Sequence, residues 1–296
     1  MRLGTLFSGI GAPEFAAANV FDSPEYVFAC DNDPYVKKTF LANHKVESFF
    51  DDILSLKVLP YVDVLIFGPP CQSFSVAGKR LGTQDLRGQL LMHANSLVRK
   101  SRPKFFILEN VKGLMTIDGG TIFKKLLASF RAVGYHVSFT VRNALECGLP
   151  QHRERIWVIG SLVKQVDLSY TTIPYVPLSG FLSHTRPHER VFARKSFLEK
   201  VQVTRRLETY DKDFIPCITQ TISRDGSSSE YISYVAAIYH AISQKRKPTV
   251  SECKKLFGFP ATFRFPSEIC ITRRYNMFAN SMAVPVVSSI LRSLII

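Results

Sequence analysis

The segment Val62-Asp63-Val64-Leu65-Ile66-Phe67-Gly68-Pro69-Pro70-Cys71 places the tightest constraint on the fold. Its first half is apolar and β-branched, bounded by Pro60 on one side and Gly68-Pro69-Pro70 on the other. A short apolar run between turn residues reads as a strand buried on both faces, as in a parallel sheet. The prolines offer no N–H to a ladder, so pairing stops there and Cys71 is delivered beyond the strand's carboxyl end. In open α/β sheets ligands bind at that edge. From Gly68 to about Gly88 no helical or strand period is visible, yet the segment carries Cys71, Gln72, Lys79, Arg80, Asp85 and Arg87. Structureless loops of this length inside compact domains are uncommon and usually functional. Cys71 reads either as a small buried hydrophobe or as a nucleophile whose thiolate is favoured by the basic residues of its loop.

The same strand-then-turn logic recurs along the chain. Arg2 to Phe7 reads as a strand, and Ser8-Gly9-Ile10-Gly11 as a glycine turn opening a helix that runs through Val20, where a cofactor could approach the backbone or where the chain simply turns. Tyr26 to Cys30 reads as a second strand, ending on Asp31-Asn32-Asp33-Pro34. Asp33, just before a proline, suits capping of a helix from Pro34 to Asn43, which leaves Asp31 for a ribose hydroxyl pair. Val46 to Phe50 is a third short strand, closed by Asp51-Asp52-Ile53, where an acid beside an apolar residue could meet an adenine or merely cap. Gln89 to Lys100 has helical spacing, with Leu90 on its apolar face.

Lys104 to Leu108 reads as another buried strand, ending on Glu109-Asn110-Val111. A carboxylate there is a candidate acid or hydrogen-bonding group set among apolar walls, or an ordinary solvated strand end. Gly119 to Val133 is amphipathic, and Tyr135 to Val141 reads as a strand. In Gln151-His152-Arg153-Glu154-Arg155, an extended backbone would put Gln151, Arg153 and Arg155 on one face, as a hydrogen-bonding wall or an ion-pair network. His152 has no partner ligands and reads as a bystander. Beyond Ser161 the periodicity fades, and Ser223 to Ser229, with Arg224 and Ser227, is a small-residue loop able to approach a backbone. Thr249 and Glu252 are spaced as a capping box, and an apolar helix runs from Met282 to Ile296.

Composition narrows the partners. The net charge is +14, and between His184 and Arg206 seven Lys/Arg face two acids, a solvated surface or a phosphate-contacting one. The six cysteines show no C-x-x-C pair, so neither a zinc site nor a disulfide framework is indicated. No apolar run approaches the ~18 residues of a membrane span. A reducing cytoplasm fits.

Taken together, Phe7-Ser8-Gly9-Ile10-Gly11, Gly68-Pro69-Pro70-Cys71-Gln72-Ser73-Phe74-Ser75, Asp85-Leu86-Arg87-Gly88-Gln89-Leu90, Glu109-Asn110-Val111, Gln151-His152-Arg153-Glu154-Arg155, Arg246 to Pro260 and Asn280-Ser281 resemble, in order, the motifs of the DNA cytosine-5 methyltransferases of the small bacterial or phage restriction-modification type. The resemblance implies an α/β, Rossmann-like fold with a mostly parallel sheet over 1–163 plus 272–296, and a small target-recognition domain over 164–271. It implies S-adenosylmethionine held by Phe7, Ser8, Gly9, Ile10, Gly11, Asp31, Asn32, Asp52, Ile53, Gly68, Pro70, Leu90, Asn280 and Ser281. It implies Cys71, Glu109, Arg153 and Arg155 as catalytic residues. Gln72, Ser73, Ser75, Lys79, Arg80, Arg87, Gln151, Arg224 and Ser227 would contact double-stranded DNA. The expected state is a cytoplasmic monomer in a bacterial or phage-infected cell, with a companion restriction endonuclease and no metal. Ala12 and Ala279 stand where the family often has glycine, and Asn32 where a large side chain often stacks on adenine. Three rivals stay open: a tRNA cytosine methyltransferase of the same superfamily, a silent DNA-binding member, and an NAD-dependent oxidoreductase resting on the glycine turn alone.

Overall fold

A computed structural model describes residues 1–70, 86–183, 213–223 and 247–295, with backbone only at 86–87 and 223. It divides into two compact units. The first comprises 1–142, 154–171 and 287–296, the second 143–153 and 172–286. Residues 143–153 and 272–286, which the motif order assigns to the catalytic part, therefore pack within the second unit.

The first unit is built on a sheet of seven strands among the described residues. These are β1 (Arg2–Leu6), β2 (Glu25–Cys30), β3 (Ser48–Phe50), β4 (Val64–Phe67), β5 (Phe105–Val111), β6 (His136–Asn143) and β8 (Glu154–Ser161). Their order is β3-β2-β1-β4-β5-β8-β6. All pairings from β3 to β5 are parallel, whereas β5 and β8 run antiparallel. Helices α1 (Ala12–Ala18) and α2 (Pro34–Asn43) make the crossovers that carry the chain outward from β1 to β3. The chain then returns to place β4 on the other side of β1. This reversal between β1 and β4 is the topological switch point where doubly wound sheets bind ligands. Leu6 pairs with Phe67, so the Phe7–Gly11 turn and the Gly68-Pro69-Pro70 turn leave the sheet side by side.

Every residue of β4 is fully buried, as its unbroken apolar run requires. Helices α3 (Leu86–Ser101) and α4 (Thr121–Arg131) follow β4 and β5. Leu91, Ala94, Leu97 and Val98 of α3, and Phe123, Leu126, Leu127 and Phe130 of α4, join one apolar core with the strands. Phe106 lies 4.3 Å from Phe130 and 4.9 Å from Tyr135, centroid to centroid. Two glycines make room for rings on the sheet. Gly4 pairs with Phe28 and Gly160 with Phe106, and a Cβ on either glycine would overlap the ring opposite.

The second unit holds a short parallel pair, β7 (Gln151–His152) with β9 (Ile215–Pro216). It also holds helices α5 (Val250–Leu256) and α6 (Ile271–Asn280). The capping box read in the sequence is present: the Thr249 hydroxyl accepts from Glu252 N, and the Glu252 carboxylate accepts from Thr249 N. Phe257, Phe259, Phe263, Phe265 and Phe278 form its aromatic core. Helix α7 (Val284–Arg292) is shorter than the sequence pattern suggests. Tyr231 to Ile242 and the basic stretch from His184 to Arg206 lie outside the described residues.

Gly160→Ala should destabilise the protein by about 2 kcal/mol, because Phe106 has rigid neighbours in Phe130 and Tyr135. Equilibrium urea unfolding checks this, and an unchanged midpoint would show that the Phe106 ring gives way to the added methyl.

Candidate active site

At the switch point the chain makes a strained turn. Phe7 has φ 55°, Gly9 55° and Gly11 83°. A phenylalanine in the left-handed region costs free energy that a rigid surround must hold, and Phe7 packs on the apolar core. The two glycines serve different ends. A Cβ at Gly9 would meet nothing within 4 Å, whereas one at Gly11 would run into the His44 imidazole. Only Gly9 thus leaves space for a ligand, and Gly11 leaves it for a side chain.

Beyond β2 the carboxylate of Asp31 accepts two backbone N–H groups, from Gly9 at 2.9 Å and Asp33 at 3.1 Å. Burial raises its pKa. Asp33 caps α2, accepting from Tyr35 N and Val36 N at 2.8 and 3.3 Å, so the capping role is filled without Asp31. Asp52 also acts as a cap, accepting from Leu54 N at 2.9 Å, with Ile53 buried behind it and Asn32 exposed. The His93 imidazole of α3 reaches the Ile53 and Leu56 carbonyls at 3.0 and 3.2 Å, so Nε2 carries the proton there. That bond fixes the Asp52-Ile53 turn against the helix bearing Leu90. A carboxylate pinned beside an open glycine turn fits the ribose of a nucleoside cofactor. The side chains of Ser8 and Ile10 point into the interior, 4% and 0% exposed, so only their backbone can serve a ligand.

The second half of the site grows from β5. Glu109 pairs with Trp157 across the antiparallel ladder and Val111 with Arg155, which puts Glu109 and Arg155 diagonally on one face. Arg155 Nε lies 3.2 Å from Glu109 Oε1, with both side chains under one-fifth exposed. Glu109 is thus inside a strand and held by a guanidinium, rather than at a strand end among apolar walls. Its neighbour Asn110 points the other way and is 1% exposed. Asn110 Nδ2 donates to the Pro69 carbonyl at 3.2 Å, and Asn110 Oδ1 accepts from Val111 N at 2.9 Å. The carboxamide thus bridges the Pro69 carbonyl and the Val111 N–H just past the end of the β4–β5 ladder, two residues before Cys71.

Not every residue singled out in the sequence joins this cluster. Gln151 and Arg153 belong to the second unit, so the expected common face with Arg155 is not formed. The chain turns at Arg153, whose N–H groups donate to the carbonyls of Ile218, Ala279 and Ser281 at 3.3, 3.3 and 2.8 Å. Gln151 donates to the Leu256 carbonyl and accepts from Ile218 N. These bonds tie both side chains to backbone within the second unit. Asn280 and Ser281 also lie in the second unit, Asn280 accepting from Gln220 Nε2 at 2.9 Å and Ser281 buried. Cys71, Gln72, Ser73, Ser75, Lys79, Arg80, Arg224, Ser227 and the Arg87 side chain lie outside the described residues. Among the described residues no His, Cys, Asp or Glu cluster could hold a metal, and no helix is long and apolar enough to cross a membrane. The sequence reading passed over His44 and His93, whose aromatic and carbonyl partners are remote in the chain, and weighed Asn110 only as part of its motif.

Asn110→Ala should lower kcat about 100-fold while leaving S-adenosylmethionine affinity within twofold, since misplacement near 1 Å can cost that much. Steady-state kinetics with calorimetric titration separates the two. Gly9→Val should abolish measurable cofactor binding, because its side chain would fill the open side of the turn.

Comparison with known proteins agrees with this geometry. A family model described as C-5 cytosine-specific DNA methylase matches residues 1–174 and 185–295. The chain is 31% identical over 300 residues to the type II methyltransferase M.NlaX of Neisseria lactamica, covering 96% of this chain and 93% of that one. It is 33% identical over 303 residues to the type II methyltransferase M.HaeII of Haemophilus aegyptius, covering 98% and 91%. In fold it is similar to a DNMT2 mutant of Spodoptera frugiperda, with TM-score 0.77, 19% identity and coverage of 100% and 99%. It is likewise similar to the methyltransferase EhMeth of Entamoeba histolytica, with TM-score 0.77, 16% identity and coverage of 99% and 97%. Motif order, switch-point geometry and these matches make the chain a member of the C-5 cytosine-specific DNA methylase family.

Proposed function

We propose that Cys71 is the nucleophile of this chain and that Glu109 and Arg155 act on the same base, in a short DNA sequence selected by the second unit. As a family member the chain is a DNA cytosine-5 methyltransferase using S-adenosylmethionine. The observation that carries the residue assignment is the Glu109–Arg155 pair at 3.2 Å, with Glu109 on β5 beside β4, the strand that precedes Cys71 in the sequence.

Cytosine C5 is too weak a nucleophile to take a methyl group unaided. Addition of the Cys71 thiolate to C6 moves the ring electrons onto C5 and makes it enamine-like. Glu109 holds N3 and supplies a proton to it as charge develops, and Arg155 stabilises charge on the O2 side. S-adenosylmethionine, when bound, supplies the electrophilic methyl group on a sulfonium. Loss of the C5 proton to a water molecule, return of the N3 proton to Glu109 and expulsion of the Cys71 thiolate then restore the aromatic ring. The ring faces are covered while the base is stacked, so the target is flipped out of the duplex. On the cofactor side, the Gly9 backbone, the Asp31 carboxylate, Asp52, Ile53 and Leu90 would hold the donor. The Arg153 bonds would keep the chain segments of the second unit in place for reading DNA.

Arg224, Ser227 and the basic residues between His184 and Arg206 are proposed as DNA contacts, supported by the net charge of +14. A companion restriction endonuclease, in keeping with the type II names of the bacterial relatives, and a cytoplasmic monomer are proposed as the working state.

Labelled methyl transfer to unmethylated DNA and to tRNA, followed by bisulfite sequencing, tests the reading. Label at one short DNA motif is expected, and Cys71→Ala should reduce it to background. Label in tRNA alone would move the substrate and overturn the DNA assignment.

A further inference from the structure

Beneath the cofactor turn runs a chain of hydrogen bonds that the reaction does not use. Glu14 of α1 is 1% exposed, and its Oε1 accepts from the Thr5 hydroxyl at 2.7 Å. The Thr5 hydroxyl also lies 2.7 Å from the Ser8 hydroxyl. Ser8 Oγ in turn accepts from Cys30 N at 2.8 Å, while Ser8 N donates to the Cys30 carbonyl at 3.0 Å. Cys30 is followed directly by Asp31, whose carboxylate grips Gly9 N. Glu14 is therefore wired through two hydroxyls to both strand ends that form the cofactor turn. We propose that Glu14 is a positioning residue for S-adenosylmethionine, fixing Ser8 and hence the Phe7–Gly11 turn through Thr5. This rests on the reading that the turn holds the cofactor.

Counting protons shows how the chain works. An ionised Glu14 can only accept, so the single Thr5 proton must go to it. The Thr5–Ser8 contact is then filled by the Ser8 proton, and Ser8 Oγ is left to accept from Cys30 N. One pattern remains. A neutral Glu14 can itself donate to Thr5, which releases the Thr5 proton toward Ser8. Ser8 is then free to turn its own proton to the Thr5 or Cys30 carbonyl, 3.1 and 3.2 Å away. The turn is thus fixed in one arrangement only while Glu14 is ionised.

The carboxyl changes state near neutrality, because burial pushes it up to about 7. The titratable groups that meet it or its turn from neighbouring elements are few. Tyr26 of β2, whose hydroxyl donates to the Glu14 carbonyl at 2.8 Å, is pushed up to about 12, as is Cys30. His44, against Gly11 and Phe15, is held down to about 4 by burial. The late segment carrying Ser288, which bonds the Ala16 carbonyl, brings only a hydroxyl. Asp31 also has its carboxyl raised by burial, so it is the neighbour that the test must separate.

The test is calorimetric binding of S-adenosylhomocysteine to the full chain between pH 6 and 8. In wild type the affinity should fall about fivefold from pH 8 to pH 6, the low end of couplings between sites. Glu14→Gln and Thr5→Val should each bind at the weak, low-pH level throughout, with no slope. Asp31 is intact in both variants, so a slope that persists in them belongs to Asp31 and overturns the proposal, as does a flat wild-type profile. Gly9→Val separates the underlying reading: unchanged affinity there would show that the turn does not hold the cofactor at all. Thermal unfolding gives a second readout. The folded chain keeps the Glu14 proton to about pH 7 and the unfolded chain releases it near 4.5, so wild-type stability should fall with rising pH across that window and Glu14→Gln should remove the fall.

Discussion

The placement of β1 between β2 and β4 is the constraint on which the rest depends. Because Leu6 pairs with Phe67, the turns after β1 and β4 emerge at the same height and from neighbouring strands. One is the turn proposed to cradle the cofactor, and the other leads on in the sequence to Cys71. β5 then pairs with β4 in parallel, Phe67 beside Leu108, and so brings Glu109 level with Gly68. The antiparallel return of β8 brings Arg155 onto the same face. The turns after β1 and β4 and the Glu109–Arg155 pair thus each lie at a strand end or inside a ladder.

Much of this was legible from residue order because the elements concerned are short and sharply punctuated. The helix from Pro34 to Asn43 was readable to the residue, since Asp33 and Pro34 start it with complementary chemistry. The run Val64 to Phe67 could be nothing but a buried strand. What escaped was decided by partners far away in the chain. Arg153 sits between polar residues in a period-two pattern that promised a shared face with Arg155, but it meets carbonyls 65 to 128 residues away, and these turn the backbone out of the sheet. Glu109 looked like a strand end because its apolar run stops at Leu108, yet pairing with Trp157 continues the strand to Val111. A local pattern cannot see a cross-strand partner.

The glycines illustrate the same limit. Phe-Ser-Gly-Ile-Gly reads as one motif making one kind of room, but the two glycines face different neighbours. His44, 33 positions after Gly11 in the chain, occupies the space that the second one vacates and is itself boxed by Phe15, Phe40 and Tyr26. The cradle is therefore stiff from behind and open in front. Stiffness of this kind is what a site needs if binding is not to be spent on ordering the backbone.

The bond from Ser288 to the Ala16 carbonyl joins residues 272 positions apart. While the protein is being made, helix α1 stays without this cover until residue 288 has left the ribosome. At ordinary rates of synthesis that interval is roughly fifteen seconds to a minute. Helix α1 and the turn it follows therefore wait for a segment that is made after the whole of the second unit.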